Sequence, residues 1–192
     1  MSRYYPHPPY AEDQTLDHTI LTVHVATRGV TVGSIGGMAV ATLRQVIPAL
    51  RSSASANQPF AARLLRSTAT GTLVGVGLSC IGLVGRMWGR EKIEWQDRSW
   101  RLLENKGQVE TDDWTYGGMA AAGGAALVTT VRAGGIPLAE RPAVAAMGWR
   151  GILGATGLGS VGGMMGYLIW RHGVNGGKFS EKPPKKQERV GI

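Results

Sequence analysis

Two glycine-rich motifs are the first places in this chain where residue types and spacing suggest chemistry. Gly157-Leu158-Gly159-Ser160-Val161-Gly162 matches the GxGxxG pattern of dinucleotide-binding sites, which needs a preceding strand and a helix that begins at the phosphates. This copy lies inside a 20-residue apolar stretch, so a nucleotide site is rejected. Gly176-Gly177-Lys178 resembles the end of a phosphate-binding loop, but Phe179 replaces the hydroxyl residue that such a loop requires.

The sequence lacks the side chains that would ligate a metal ion or a redox cluster. A single cysteine, Cys80, is too few for an iron–sulfur cluster or a structural zinc site. His18 and His24 are six residues apart, on different faces of a helix, and lack a third ligand. No nucleophile lies beside a base. The sequence therefore predicts a protein that is not an enzyme, with no catalytic residue, no cofactor, no metal and no small-molecule substrate.

The chain contains several long uncharged stretches, which predict membrane-spanning helices. A hydrocarbon core of about 30 Å needs roughly 20 mostly apolar helical residues. Residues 67–85, 114–131 and 151–170 supply 19, 18 and 20 uncharged residues. A less regular stretch has only 15 residues between Arg28 and Arg44, and its span is placed at 19–43. The prediction is an all-α membrane protein, a glycine-rich bundle of about four transmembrane helices. The alternative is a soluble bundle of glycine-rich core helices.

Arg28 lies inside the first of these spans, and two interpretations of it stay open. An ionisable group within a span is costly, so it is usually paired or functional. If the span instead begins near Gly29, Arg28 lies at the membrane interface.

Aromatic residues mark the ends of the predicted spans. An indole at a span end can bury its ring and keep its N–H hydrated. The residues expected to anchor the chain at the interface or to lipid are Arg28, Trp88, Trp114, Trp149 and Trp170.

Small residues recur four apart in all four spans. Since helices in lipid gain little hydrophobic energy by meeting, such rows favour close helix packing. The predicted packing residues are Gly29, Gly33, Gly37, Gly71, Gly75, Gly159 and Gly163, and the row predicted for the third span is Gly117, Ala121 and Ala125. The alternative is that glycine is merely tolerated in membrane helices.

The connector between the second and third spans differs from the others, because residues 86–113 hold 6 basic and 7 acidic residues. Ile93, Trp100 and Leu103 recur at helical spacing, which predicts a short amphipathic connector helix that stops near Gly107. A solvated loop is the alternative. The predicted organisation is a polar N-terminal segment (1–18), a transmembrane helical domain (19–171) and a basic C-terminal tail (172–192).

Basic residues cluster at the helix ends, and the net charge is +8. The first connector carries four arginines and no acid, and the third carries three arginines with Glu140. A basic chain suggests nucleic acid, but this placement favours anionic headgroups or protein partners, so we expect phospholipids such as cardiolipin and no nucleic acid. These connectors favour the side from which the chain is inserted, with both termini on the opposite side of the membrane; the more basic tail and central connector favour the opposite orientation.

The first residues do not resemble a targeting segment. Residues 1–17 contain Arg3 but also Glu12, Asp13 and Asp17, and they have no apolar run. The sequence therefore predicts neither a secretory signal nor a cleaved mitochondrial presequence.

Two runs resemble a known family. The chain is similar to a fungal accessory subunit of mitochondrial complex I, the NUXM type. The similarity lies in residues 17–21 and 26–37 and in residues 95–103 and 112–114. The resemblance covers roughly residues 15–170. It implies a multi-pass protein of the mitochondrial inner membrane with no cofactor of its own, which contacts other membrane-arm subunits of the NADH:ubiquinone oxidoreductase.

Two other function classes stay open. Components of the inner-membrane protein translocase family also have four glycine-rich helices and basic loops, but their spaced arginine and aspartate signature does not fit here, since Arg132 has no aspartate downstream. A small transporter is less favoured, because the spans lack a polar path.

Overall fold

Helices account for all the regular structure in the computed structural model, which describes residues 4–50 and 58–179. No strand occurs within those ranges, so the all-α prediction is confirmed. The α-helices are α1 (Asp17–Val46), α2 (Phe60–Met87), α3 (Lys92–Glu104), α4 (Lys106–Arg132), α5 (Ala143–Ala146) and α6 (Trp149–Leu168). A π-helical segment, Ile169–Val174, continues α6.

Each predicted span lies in one long helix, but the helices differ in how apolar they are. Among the described helices, two are long and apolar enough to cross a membrane: α2, with a mean hydropathy of 1.5, and Trp149–Val174, with 1.4. Helices α1 and α4 have 30 and 27 residues, about 45 and 40 Å. They are long enough to span, but charged and small residues lower their hydropathy. The prediction of four transmembrane helices is therefore not confirmed.

Two antiparallel helix pairs make up the bundle. In the first pair, Gly29 of α1 lies opposite Gly75 of α2, and Gly37 lies opposite Ser67. In the second pair, α4 packs on α6. The pairs join where Gly154 of α6 meets the backbone of Leu65 in α2.

This topology gives the bundle two chemically different ends. The "basic end" gathers the C-termini of α1 and α4 and the N-termini of α2 and α6. Its described arginines are Arg44, Arg63, Arg66, Arg132, Arg141 and Arg150, and Arg51 lies outside the described residues. The opposite or "mixed end" carries α3, the N-terminal segment and charges of both signs.

Small and hydroxyl side chains fill the space between the helices, while large apolar side chains point outward. Thr31, Thr68, Thr115 and Ser160 are buried. Val131 is 71% exposed and Ile81 is 69% exposed, and most large aliphatic side chains of α2 and α4 are similarly open. A water-soluble bundle has the opposite distribution.

The central connector holds the N-terminal segment against the bundle. Gln96 Nε2 of α3 donates hydrogen bonds to the carbonyl oxygens of Glu12 and Gln14 at 2.8 and 3.1 Å. Trp100 Nε1 donates to the carbonyl oxygen of Pro8 at 3.0 Å, and the His18 and Trp95 rings stack at 4.1 Å. The prediction of a helix in this connector is therefore confirmed, and the solvated-loop alternative is wrong. Its predicted apolar face is confirmed only in part, since Leu103 is buried but Ile93 is 43% exposed.

The predicted end of that connector helix is also wrong. Helix α3 ends at Glu104, and Gly107 lies in the first turn of α4. The reason is Asn105, whose side-chain oxygen accepts a hydrogen bond from the Gln108 N–H at 3.3 Å and so caps a new helix. The predicted domain boundaries at 18 and 171 stay predictions, and residues 180–192 of the tail lie outside the described part.

Replacement of Gly33 by leucine tests the close approach of α1 and α2. A Cβ there would collide with the carbonyl oxygen of Gly71, whereas a Cβ at Gly77 of α2 meets nothing within 4 Å. We expect Gly33→Leu to lower the free energy of unfolding by roughly 1–3 kcal/mol, because the backbones must separate. The measurement is the thermal unfolding midpoint of the purified chain in detergent, with Gly77→Leu as the matched control. Equal midpoints for the two variants would contradict the contact.

Candidate functional site

The five glycines predicted in the first two spans lie along one contact, the "α1–α2 seam" (Gly29, Gly33, Gly37, Gly71, Gly75). A Cβ on Gly29 would come within 2.8 Å of the Gly75 carbonyl oxygen, and one on Gly37 within 2.7 Å of the Thr68 Cα. Ser67 Oγ donates a hydrogen bond across the seam to the Gly37 carbonyl oxygen at 2.7 Å. The seam therefore brings two backbones into direct contact.

Gly159 and Gly163 of α6 lie against α4, but the α4 residues that meet them are not the row predicted for that span. A Cβ on Gly159 would collide with the Gly118 carbonyl oxygen and come within 2.6 Å of the Ala122 Cβ. Gly117, Ala121 and Ala125 are exposed instead. The sequence repeats small residues in tandem here, so rows shifted by one residue look alike, and only packing against α6 selects between them.

Helix α6 has a second packing face that the sequence analysis missed. Gly151, Gly154, Gly157 and Ser160 are all buried. A Cβ on Gly157 would come within 2.7 Å of the Thr72 Oγ1, and Ser34 Oγ and Thr72 Oγ1 are themselves hydrogen-bonded at 2.8 Å. These α6 residues recur three apart, so the search for small residues four apart found Gly151, in a row with Ala155, Gly159 and Gly163, but not the other three.

All four predicted anchoring tryptophans have exposed side chains; three lie at helix ends, and Trp114 is the ninth residue of α4. Trp88 is 80% exposed, and Trp114 and Trp170 stack with ring centroids 6.4 Å apart. These three lie at the mixed end. Trp149 lies at the basic end, where the Arg150 guanidinium sits 5.3 Å from its ring centroid.

Arg28 belongs to a "polar cluster" of four side chains, His24, Arg28, Gln108 and Asp112, that joins α1 to α4. Arg28 Nη2 lies 2.6 Å from Asp112 Oδ1 and donates a hydrogen bond to Gln108 Oε1 at 3.1 Å. His24 Nδ1 lies 2.6 Å from Asp112 Oδ2. The Asp112 side chain is 12% exposed and that of Arg28 25%, so the pair is largely removed from solvent.

The neighbours of Arg28 show where it lies along α2, and both interpretations of Arg28 stay predictions. Its neighbour Gly29 approaches Ser79, since a Cβ there would lie 2.9 Å from Ser79 Oγ. Ser79 is six residues inside the apolar stretch that ends at residue 85, about 9 Å along the helix. Arg28 therefore lies beside the apolar stretch of α2, while its partner Asp112 lies two residues outside the stretch 114–131.

The sequence analysis missed the partners of Arg28. His24 and Arg28 are four residues apart on α1, and Gln108 and Asp112 are four apart on α4, so each pair lies on one helix face. That spacing was a usable signal, but Asp112 was assigned to a connector. Tyr5 lies beside the polar cluster, and burial, with a further contribution from the Asp112 carboxylate, raises the pKa of its hydroxyl above the ordinary value.

The polar cluster suits structural pairing better than chemistry. One carboxylate balances one guanidinium, and a histidine completes the carboxylate's contacts. Among the described residues, no group of three His, Cys, Asp or Glu side chains could hold a metal ion.

Comparisons of the chain with protein-family models, curated proteins and solved structures gave no match.

Replacement of Asp112 by asparagine tests the ion pair. The change leaves the Arg28 charge without its counter-ion, so we expect a loss of about 2 kcal/mol of folding free energy, below the roughly 3–5 kcal/mol of a fully buried pair. The matched control is Asp97→Asn, which breaks the exposed pair with Arg101 (2.9 Å) and should cost less than about 1 kcal/mol. Unfolding midpoints in detergent provide the measurement. The double variant Asp112→Asn/Arg28→Gln should recover part of the loss, and no recovery would contradict a pairwise interaction.

Proposed function

We propose that this chain is a non-catalytic accessory subunit in the membrane arm of mitochondrial NADH:ubiquinone oxidoreductase, complex I. It spans the inner membrane with α1, α2, α4 and α6. Its role is assembly or stability of the complex, through helix packing against other membrane-arm subunits and contacts with phospholipids such as cardiolipin.

The placement of apolar side chains supports four spans rather than two. Glycine, serine and threonine fill the contacts among all four long helices, while Val32 of α1 and Val131 of α4 point outward like Ile81 of α2. Close packing of small residues is how helices associate where lipid already surrounds their apolar side chains. Pairing with Asp112 offsets the cost of placing Arg28 within a span.

The assignment to complex I rests on the resemblance, and one structural observation carries it. The separate runs that resemble the accessory subunit meet at the mixed end. His18 stacks on Trp95, and Arg28 pairs with Asp112, so the first part of the run 17–37 meets 95–103 and 112–114 at one junction. Runs that are distant in sequence and share one site are what a common architecture requires.

A structural role fits what the described residues offer. The α1–α2 seam, the exposed tryptophans and the charged α3 suit docking to neighbouring helices and to the membrane interface. The competing hypothesis, a component of an inner-membrane protein translocase, shares the glycine-rich helices. The two hypotheses differ in the complex with which the chain co-purifies.

The orientation in the membrane follows from the charge difference between the two ends. The basic end is proposed to face the matrix, because arginine-rich short connectors stay on the side of synthesis or insertion. In a Cys80→Ala background, an impermeant maleimide applied to mitoplasts should label Glu91→Cys and leave Ala139→Cys unlabelled. Both positions are exposed, so both should react after detergent is added. The reverse pattern in mitoplasts would show that the orientation is inverted.

Deletion of the chain tests the proposed role in complex I. We expect the amount or integrity of assembled complex I to fall, while NADH:ubiquinone turnover per intact complex changes little. The measurement is activity normalised to complex content, with a strain carrying the restored wild-type chain as control. A normal amount of complex with sharply reduced turnover would contradict a structural role. Migration of the native protein with an import complex would favour the translocase hypothesis.

A further inference from the structure

An open groove runs along the α1–α2 seam toward the basic end. It has a volume of about 600 Å³, and its apolar lining includes Val32, Val40, Val74 and Leu78. Ser34 of α1 and Thr72 of α2 meet α6. Gly36 and Val74 are two residues further along the same helices, so they face away from α6 and toward the groove. The groove thus lies on the side of the seam that α6 leaves open.

Three arginines line the basic end of this groove. Arg44 comes from α1, and Arg63 and Arg66 come from the first two turns of α2. The Arg63 side chain donates a hydrogen bond from Nη2 to Gln45 Oε1 of α1, which holds its guanidinium at the groove. No Asp or Glu occurs between Asp17 and Glu91, so neither helix supplies an acid to this end.

We propose that this groove binds one anionic glycerophospholipid, with its phosphate at Arg44, Arg63 and Arg66 and one acyl chain along the glycine floor. This inference rests on the membrane-spanning part of the proposed function. A phosphodiester offers the acceptor oxygens that guanidinium groups bind, and the exposed valines and leucine suit an acyl chain.

The distribution of charge along the groove favours a lipid over a partner helix. On α2 the groove runs from Arg63 to Ser79, which is 16 residues, about 24 Å. Its lining arginines lie at the basic end only, and beyond that end the lining is apolar or small. An anion-binding end followed by a long apolar part matches a phospholipid headgroup and its acyl chain, whereas an apolar transmembrane helix would offer the arginines no anionic group.

A titration of the purified full-length chain in detergent, followed by native mass spectrometry, tests the headgroup. Dioleoylphosphatidylglycerol should bind more tightly than dioleoylphosphatidylcholine. Arg63→Gln/Arg66→Gln should weaken phosphatidylglycerol binding about fivefold per arginine removed. The matched control, Arg132→Gln/Arg150→Gln, removes two arginines of the same end that do not line the groove, and it should leave binding unchanged. Equal affinities for the two lipids, or equal losses in the two double variants, would overturn the proposal.

A second variant pair tests the acyl-chain site without changing charge. A Cβ at Gly36 meets nothing within 4 Å and Gly36 lines the groove, so Gly36→Leu should fill the floor and reduce phosphatidylglycerol binding while the chain stays folded. Gly77 is equally open and lies outside the groove lining, so Gly77→Leu should bind like the wild type. Unchanged binding in Gly36→Leu would overturn the proposal.

Two further outcomes identify a different occupant. If free glycerol phosphate displaces phosphatidylglycerol at equal concentration, the arginines form a simple phosphate site and the lipid proposal fails. If Gly36→Leu removes the chain from its native complex but leaves lipid binding intact, the groove holds a partner helix. The titration uses the isolated chain, so its result is independent of membership in complex I. Release of the chain from membranes by alkaline carbonate would refute the membrane-spanning role itself.

Discussion

Direct contact between helix backbones, which glycine permits, is the constraint on which the rest of this bundle depends. Gly33 and Gly71 leave no room for a Cβ between them, and Gly118 and Gly159 repeat the arrangement in the second helix pair. At such separations only small groups fit between helices, so hydroxyls such as Ser34 and Thr72 can hydrogen-bond across. The large apolar side chains are consequently left on the outside, where lipid or a neighbouring helix would cover them in the proposed membrane arrangement.

A charged contact joins the two helix pairs at the mixed end. Helix α1 reaches α4 through the polar cluster, and the bond between His24 and Asp112 joins residues 88 positions apart in sequence. An unpaired arginine at the depth of Arg28 is costly within a membrane, whereas an arginine with its carboxylate partner is tolerated. In the proposed four-span arrangement, the ion pair would allow α1 to lie deeper in the membrane than its 15-residue uncharged stretch alone would permit.

Local patterns predicted the helices well, and contacts between helices poorly. Uncharged stretches located α1, α2, α4 and α6, and helical spacing located α3, because both signals lie within one segment. The register of α4 against α6 could not be predicted, since Gly117-Gly118 and Ala121-Ala122 offer two equivalent rows. The partner of Arg28 was missed for a related reason. Asp112 lies 84 residues away from it, and pairing depends on how the two helix pairs meet.

The position of the ion pair also determines how the two halves of the bundle depend on each other. The α1–α2 seam lies entirely within the first 87 residues, whereas Asp112 belongs to α4, later in the chain. An isolated α1–α2 pair would therefore expose Arg28 without its counter-ion, and docking of α4 and α6 would remove that penalty. Gly157 strengthens the same dependence, since it packs against Ser34 and Thr72 from both helices of the first pair. The glycine contacts thus bring the helices together, and the buried charge makes the complete bundle more favourable than either half.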